Sequence, residues 1–140
     1  PFIEQITHNM PDISQYDFIR GNLANLLLMI LVGWIVGGFI EEIVFRGYLL
    51  NRISAFFRNR NTGDIIAIII TSATFGFSHL YQGWSGVIST GLVAVVLGIL
   101  FIKSKRILWY TIFTHGFIDL IGLTLIFFDV EEQLSNLIFQ

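Results

Sequence analysis

Cysteine is absent from the 140 residues. That excludes a disulfide framework, a cysteine-ligated zinc and a thiol nucleophile. Charge is also scarce. Only 13% of residues are Asp, Glu, Lys or Arg, against about a quarter in soluble domains. A net charge of −2 gives no basis for a nucleic-acid partner. There is no internal repeat and no low-complexity linker. Residues 1–20 have no basic stretch followed by an apolar one, so they are not a signal peptide. The first residue is Pro1 rather than methionine, and further helices upstream are expected.

What the chain has is apolar sequence. It is 54% hydrophobic with a mean hydropathy of +0.74. A soluble bundle would alternate apolar and polar faces, whereas here long runs lack a polar face. The first starts near Gly21, meets Glu41 and Glu42, and continues through IVFRGYLLNRISAFF. The breaker-rich segment RNRNTG, Arg58 to Gly63, predicts a loop. The second run is Asp64 to about Leu80, followed by a YQGWSG connection. The third is Val87 to Ile102, followed by KSKR. The fourth is Ile107 to Phe128. Backbone groups in lipid must bond within their own segment, which predicts helices. The expected fold is an all-α, polytopic membrane helix bundle with about four core transmembrane helices. The expected organisation is a non-cytoplasmic or interfacial segment at 1–20, an intramembrane core at 21–128 and a short acidic tail at 129–140. Gly33 and Gly37 form a GxxxG pair that permits close helix contact.

Basic residues set the orientation. Arg52, Arg58 and Arg60 surround the first connection, and Lys103, Lys105 and Arg106 the third, while the second has none. Both basic connections are expected in the cytoplasm, with both termini outside.

Six ionisable residues interrupt the apolar runs: Glu41, Glu42, Arg46, His79, His115 and Asp119. Charges inside spans are expensive and tend to mark function. Glu42 and Arg46 are four apart, on one helix face and within reach of each other. Glu41 lies about 100° round the helix and has no basic partner three or four residues away. This divides a paired Glu42 from a freer Glu41. Glu41 lies about 24 Å above the first turn and His79 about 22 Å above it, so an antiparallel hairpin sets them level. His115 reaches that level if the first hairpin projects about 10 Å further than the second. His115 and Asp119 share a face, as do Phe75 and His79.

A carboxylate beside a histidine can hold and deprotonate a water. A second histidine can donate to a developing oxyanion. Alternatively, Glu41, His79 and His115 are the candidate ligands of a divalent metal such as zinc that activates the water. Ser78 adjoins His79 in sequence but is expected on another face, so no serine triad is evident. A bis-histidine haem site or proton pathway is a third chemistry, to which two adjacent glutamates are ill suited.

Three motifs stand in order: EEIVFR at Glu41–Arg46, FGFSH at Phe75–His79, and HGFID at His115–Asp119. Together, on successive helices from about Gly21 to Phe128, they resemble the CPBP family of intramembrane proteases, the CAAX proteases and bacteriocin-processing enzymes. The resemblance implies an intramembrane endopeptidase acting on a membrane-associated protein or peptide, with membrane lipid as its surroundings. It implies Glu41 as general base, His79 as the group that positions the water, and His115 with Asp119 as the oxyanion-stabilising pair. Glu42 and Arg46 would support the first motif. Asp119 stands where the eukaryotic prenyl-protein endopeptidases carry asparagine, as in the bacterial branch, which implies a bacterial cell membrane. Its roles as a protonated donor, as a group orienting His115 or as a metal ligand stay open, and so does prenylation of the substrate. The competing class is a non-enzymatic membrane factor, a bacteriocin-immunity or scaffold protein keeping the fold.

Overall fold

A computed structural model describes residues 11–130. The first half of the expected outer segment and most of the acidic tail lie outside the described residues.

All regular structure among the described residues is helical. A short 3₁₀ turn, Ser14–Ile19, precedes four long helices. Helix α1 is Leu23–Ala55. Asn22 caps it, its side chain accepting the Asn25 backbone N–H at 3.1 Å. α1 begins with ordinary α-helical winding. It then opens to π-helical winding over Gly33–Glu41 and again over Ile43–Leu50. Helix α2 is Arg60–Ser78, α3 is Gly83–Lys103 and α4 is Leu108–Phe127. Leu80–Gln82 forms a 3₁₀ turn between α2 and α3, and Gly83 takes the positive φ of +75° that ends it.

Two boundaries differ from the sequence expectation. The RNRNTG loop shrinks because Asn59 caps α2 with its side chain, accepting from Thr62 N–H at 3.2 Å. Asn61, Thr62 and Gly63 are therefore helical. α3 begins at Gly83 rather than at Val87, which absorbs the last four residues of the YQGWSG connection.

Large apolar side chains coat the outside of all four helices. Leu27, Leu31 and Ile43 of α1, Ile65 and Ile69 of α2, Leu92 and Val96 of α3, and Phe117 and Ile121 of α4 are all exposed. A coat of that extent is stable only against another apolar phase. Three helical stretches are long and apolar enough to cross a membrane: Leu23–Ala55, Leu80–Lys103 and Leu108–Phe127. α2, the fourth of the expected core spans, packs against α1 and α3. The protein is an integral membrane helix bundle.

Inside, the core is split. Ile19, Leu26, Leu123 and Ile126 form one buried cluster, and Leu50, Ala67 and Phe101 another. Close contacts hold α1 to α4 between them. Trp34 of α1 lies against Gly116 of α4, where a Cβ would meet the indole, and packs edge-on against Phe113 and Phe117 at 5.9 and 5.4 Å.

A polar latch sets the register at the basic end. Arg106 donates to Asp64 at 2.6 Å and also to the Asn51 side chain, while Ser54 donates to Asp64. Asn51 lies four residues before Ala55, and Asp64 four residues after Arg60. The Arg106 guanidinium of the α3–α4 turn therefore meets the α1–α2 hairpin about one helical turn inside its tip.

Candidate active site

The latch dictates what meets deeper in. Glu42 lies nine residues before Asn51 on α1, and His115 nine residues after Arg106 on α4. The helices run antiparallel, so equal offsets from one contact bring these two side chains to one level. His115 Nδ1 donates to Glu42 Oε1 at 2.7 Å. Arg46 Nη1 donates to the same oxygen at 2.7 Å. Arg46 Nη2 reaches the Ala94 carbonyl of α3 at 3.2 Å, and its guanidinium lies 5.2 Å from the Phe75 ring centroid. A charge buried this way needs pairing and further hydrogen bonds to be tolerated. Arg46 has both. Glu42 Oε2 is buried without a hydrogen-bond partner among the described residues.

Glu41 sits differently. Its side chain is 27% exposed while that of Glu42 is 0% exposed. It faces a cavity of about 420 Å³. His79, His115 and Asp119 line the same cavity, so the structure brings Glu41, His79, His115 and Asp119 together at one place. Glu42 and Arg46 lie behind that wall. Glu41 Oε2 is 3.9 Å from His115 Nε2, and Asp119 Oδ1 is 3.8 Å from it. Both separations exceed a direct hydrogen bond, so the three groups border a space rather than bond each other.

His79 terminates α2. Its Nδ1–H donates to the Phe75 carbonyl at 2.9 Å, which leaves the Nε2 lone pair available. Its ring lies 4.7 Å from that of Phe75. The Ser78 hydroxyl, expected on another face, lies 3.2 Å from His79 Nδ1. It donates to the Phe75 carbonyl at 2.7 Å, so it is engaged with the backbone and forms no triad.

The GxxxG pair has a definite consequence. A Cβ on Gly37 would overlap the Asp119 carboxylate, and one on Gly33 would touch it at 3.4 Å. These glycines seat Asp119 against α1. Among the described residues no three His, Asp or Glu side chains are grouped so as to hold a metal ion. The set Glu41, His79 and His115 does not form a ligand cage in this arrangement.

Sequence reasoning missed the Glu42–His115 bond, which joins residues 73 apart. It also missed Tyr16 and Tyr81 in the cavity wall. For the bond, the signal was the shared spacing to the two basic turns. For the tyrosines there was no motif to find.

No curated protein and no solved structure matches the chain. A sequence model of a protease family, described as type II CAAX prenyl endopeptidase Rce1-like, matches residues 23–121. That span holds all six ionisable residues, the first three long helices and α4 as far as Ile121. The chain belongs to the type II CAAX prenyl endopeptidase Rce1-like family.

Proposed function

We propose that the protein is an intramembrane endopeptidase that hydrolyses a peptide bond of a membrane-associated protein or peptide with a water activated by Glu41. The observation that carries this reading is the contrast between the two glutamates. Glu42 is spent on Arg46 and His115, while Glu41 faces the cavity with its oxygen 3.9 Å from His115 Nε2.

Glu41 takes one proton from the water as its oxygen attacks the scissile carbonyl carbon. His79 Nε2 accepts the water's other hydrogen and orients the lone pair for attack. The carbonyl oxygen gains the negative charge. His115, protonated on Nε2, donates to that oxyanion, and Glu42 on Nδ1 balances the ring's charge. Asp119, when it carries a proton, is the second donor. As the intermediate collapses, the C–N bond breaks and the proton on Glu41 passes to the departing nitrogen. The products are a carboxylic acid and an amine, and passage of the acid's proton to the amine leaves a carboxylate and an ammonium. Glu41, His79 and His115 would be the ligands if a zinc supplied the activated water instead, and the chelator arm of the test separates the two routes.

The test uses the purified chain in lipid nanodiscs with quenched fluorescent membrane peptides, a prenylated CAAX peptide among them. The expected result is cleavage at one peptide bond, at a rate that a strong chelator leaves unchanged. Loss of activity on chelation that zinc restores would move the mechanism to the metal. A folded protein that cleaves no probe would favour the non-enzymatic reading.

A further inference from the structure

Part of the cavity wall comes from outside the three motifs. Tyr16 belongs to the Ser14–Ile19 turn, which precedes the family match at residues 23–121. Tyr81 belongs to the Leu80–Gln82 turn between α2 and α3. Both line the cavity with Glu41, His79 and Asp119. The two segments are tied together, because the Asp12 N–H donates to the Gln82 carbonyl at 3.0 Å. Tyr16 and Ile13 also pack on the Ile19–Leu26–Leu123–Ile126 cluster. The described part of the outer segment, residues 11–20, thus packs on the bundle.

Tyr81 has a defined place. Its ring lies 5.7 Å from that of His79, inclined at 33°. Its hydroxyl oxygen accepts from Gln82 Nε2 at 3.2 Å. The Tyr16 hydroxyl interacts with Tyr81 as well. Burial first, and Tyr81 second, push the Tyr16 pKa up to about 12. Tyr16 therefore stays neutral throughout the physiological range. A phenol oxygen offers acceptor positions and a single hydrogen. With Gln82 Nε2 bonded to its oxygen, the Tyr81 hydroxyl keeps its hydrogen to donate.

The neighbouring hydroxyls and carboxylates offer a peptide carbonyl no such donor. Ser89 and Thr90 both donate to the Gly86 carbonyl, at 3.1 and 2.8 Å. Glu41 and Asp119, when ionised, only accept. A peptide entering this cavity brings backbone carbonyls that lose water and require donors. We propose that Tyr81 is a substrate-binding residue that donates its hydroxyl hydrogen to a backbone carbonyl oxygen of the peptide beside the scissile bond, and that Tyr16 is the positioning residue that holds it. This rests on the protease reading above and adds to it a recognition element from outside the matched family core.

The experiment measures kcat and KM on whichever quenched peptide the wild-type protein cleaves. Tyr81→Phe keeps the ring on His79 and removes the hydroxyl. It should raise KM roughly 3- to 10-fold with kcat nearly unchanged, as loss of one uniform hydrogen bond does. Tyr16→Phe should shift KM in the same direction by less. The double variant should be no worse than Tyr81→Phe alone, because both act through one hydroxyl. Gln82→Met provides a second arm should Tyr81→Phe not fold, with KM again raised. An unchanged KM in Tyr81→Phe, or additive effects in the double variant, overturns the inference while leaving the protease reading intact. A wild-type protein that cleaves no peptide overturns both.

Discussion

Neighbouring glutamates on α1 meet opposite surroundings. Glu42 is sealed between Arg46 and His115, and Glu41 opens to the cavity. The i,i+4 spacing made the Glu42–Arg46 pair readable from the sequence, and likewise the His115–Asp119 face. The role of Glu42 toward His115 was not readable, because it depends on how two helices dock. Glu42→Gln should leave Arg46 buried without a counter-charge and lower stability by about 3–5 kcal/mol. Thermal unfolding of the purified protein in detergent reads this directly. A melting temperature equal to that of the wild type would show that the pair contributes nothing to the fold.

At the scale of elements, α1 is the part that sequence periodicity described least well. Helices were expected from the apolar runs, and four long ones stand in the expected order, with three stretches long and apolar enough to cross a membrane. Their ends shifted where a local cap decided the matter, as at Asn59. The π-helical winding of Gly33–Leu50 left no mark that a 3.6-residue period could reveal. Such wide turns are frequent at functional sites, and here they carry Glu41 and the glycines that seat Asp119. Gly37→Ala places a methyl group where the Asp119 carboxylate sits. It should cost about 10²-fold in kcat, the scale of a 1 Å displacement of a catalytic group. Gly33→Ala, whose Cβ would touch Asp119 at 3.4 Å, should cost much less. Equal effects at the two glycines would count against a seat at Gly37.

The whole molecule is an apolar shell around a polar interior, with its exposed basic residues gathered at one end. Arg52, Arg58, Arg60, Lys103 and Lys105 are exposed around the α1–α2 and α3–α4 turns. That asymmetry was plain in the sequence, as was the membrane class. The cavity was not, since its wall draws on Tyr16, on a turn and on all four helices. Orientation follows from the positive charges. The absence of cysteine makes the test clean. Single cysteines at Asn59 and Ser104 should react with an impermeant thiol reagent only from the cytoplasmic side, and one at Gln82 only from the outside. The reverse pattern would invert the assigned orientation.

The most direct measurement is the hydrolysis rate of the Glu41→Gln protein beside the wild type, in the same nanodiscs and on the same quenched peptide. Glutamine keeps the shape of the side chain and removes the base. The expected result is no detectable cleavage by Glu41→Gln, with an unfolding temperature and elution profile matching the wild type. Cleavage by Glu41→Gln at the wild-type rate would contradict the assignment of Glu41 as the group that activates the water.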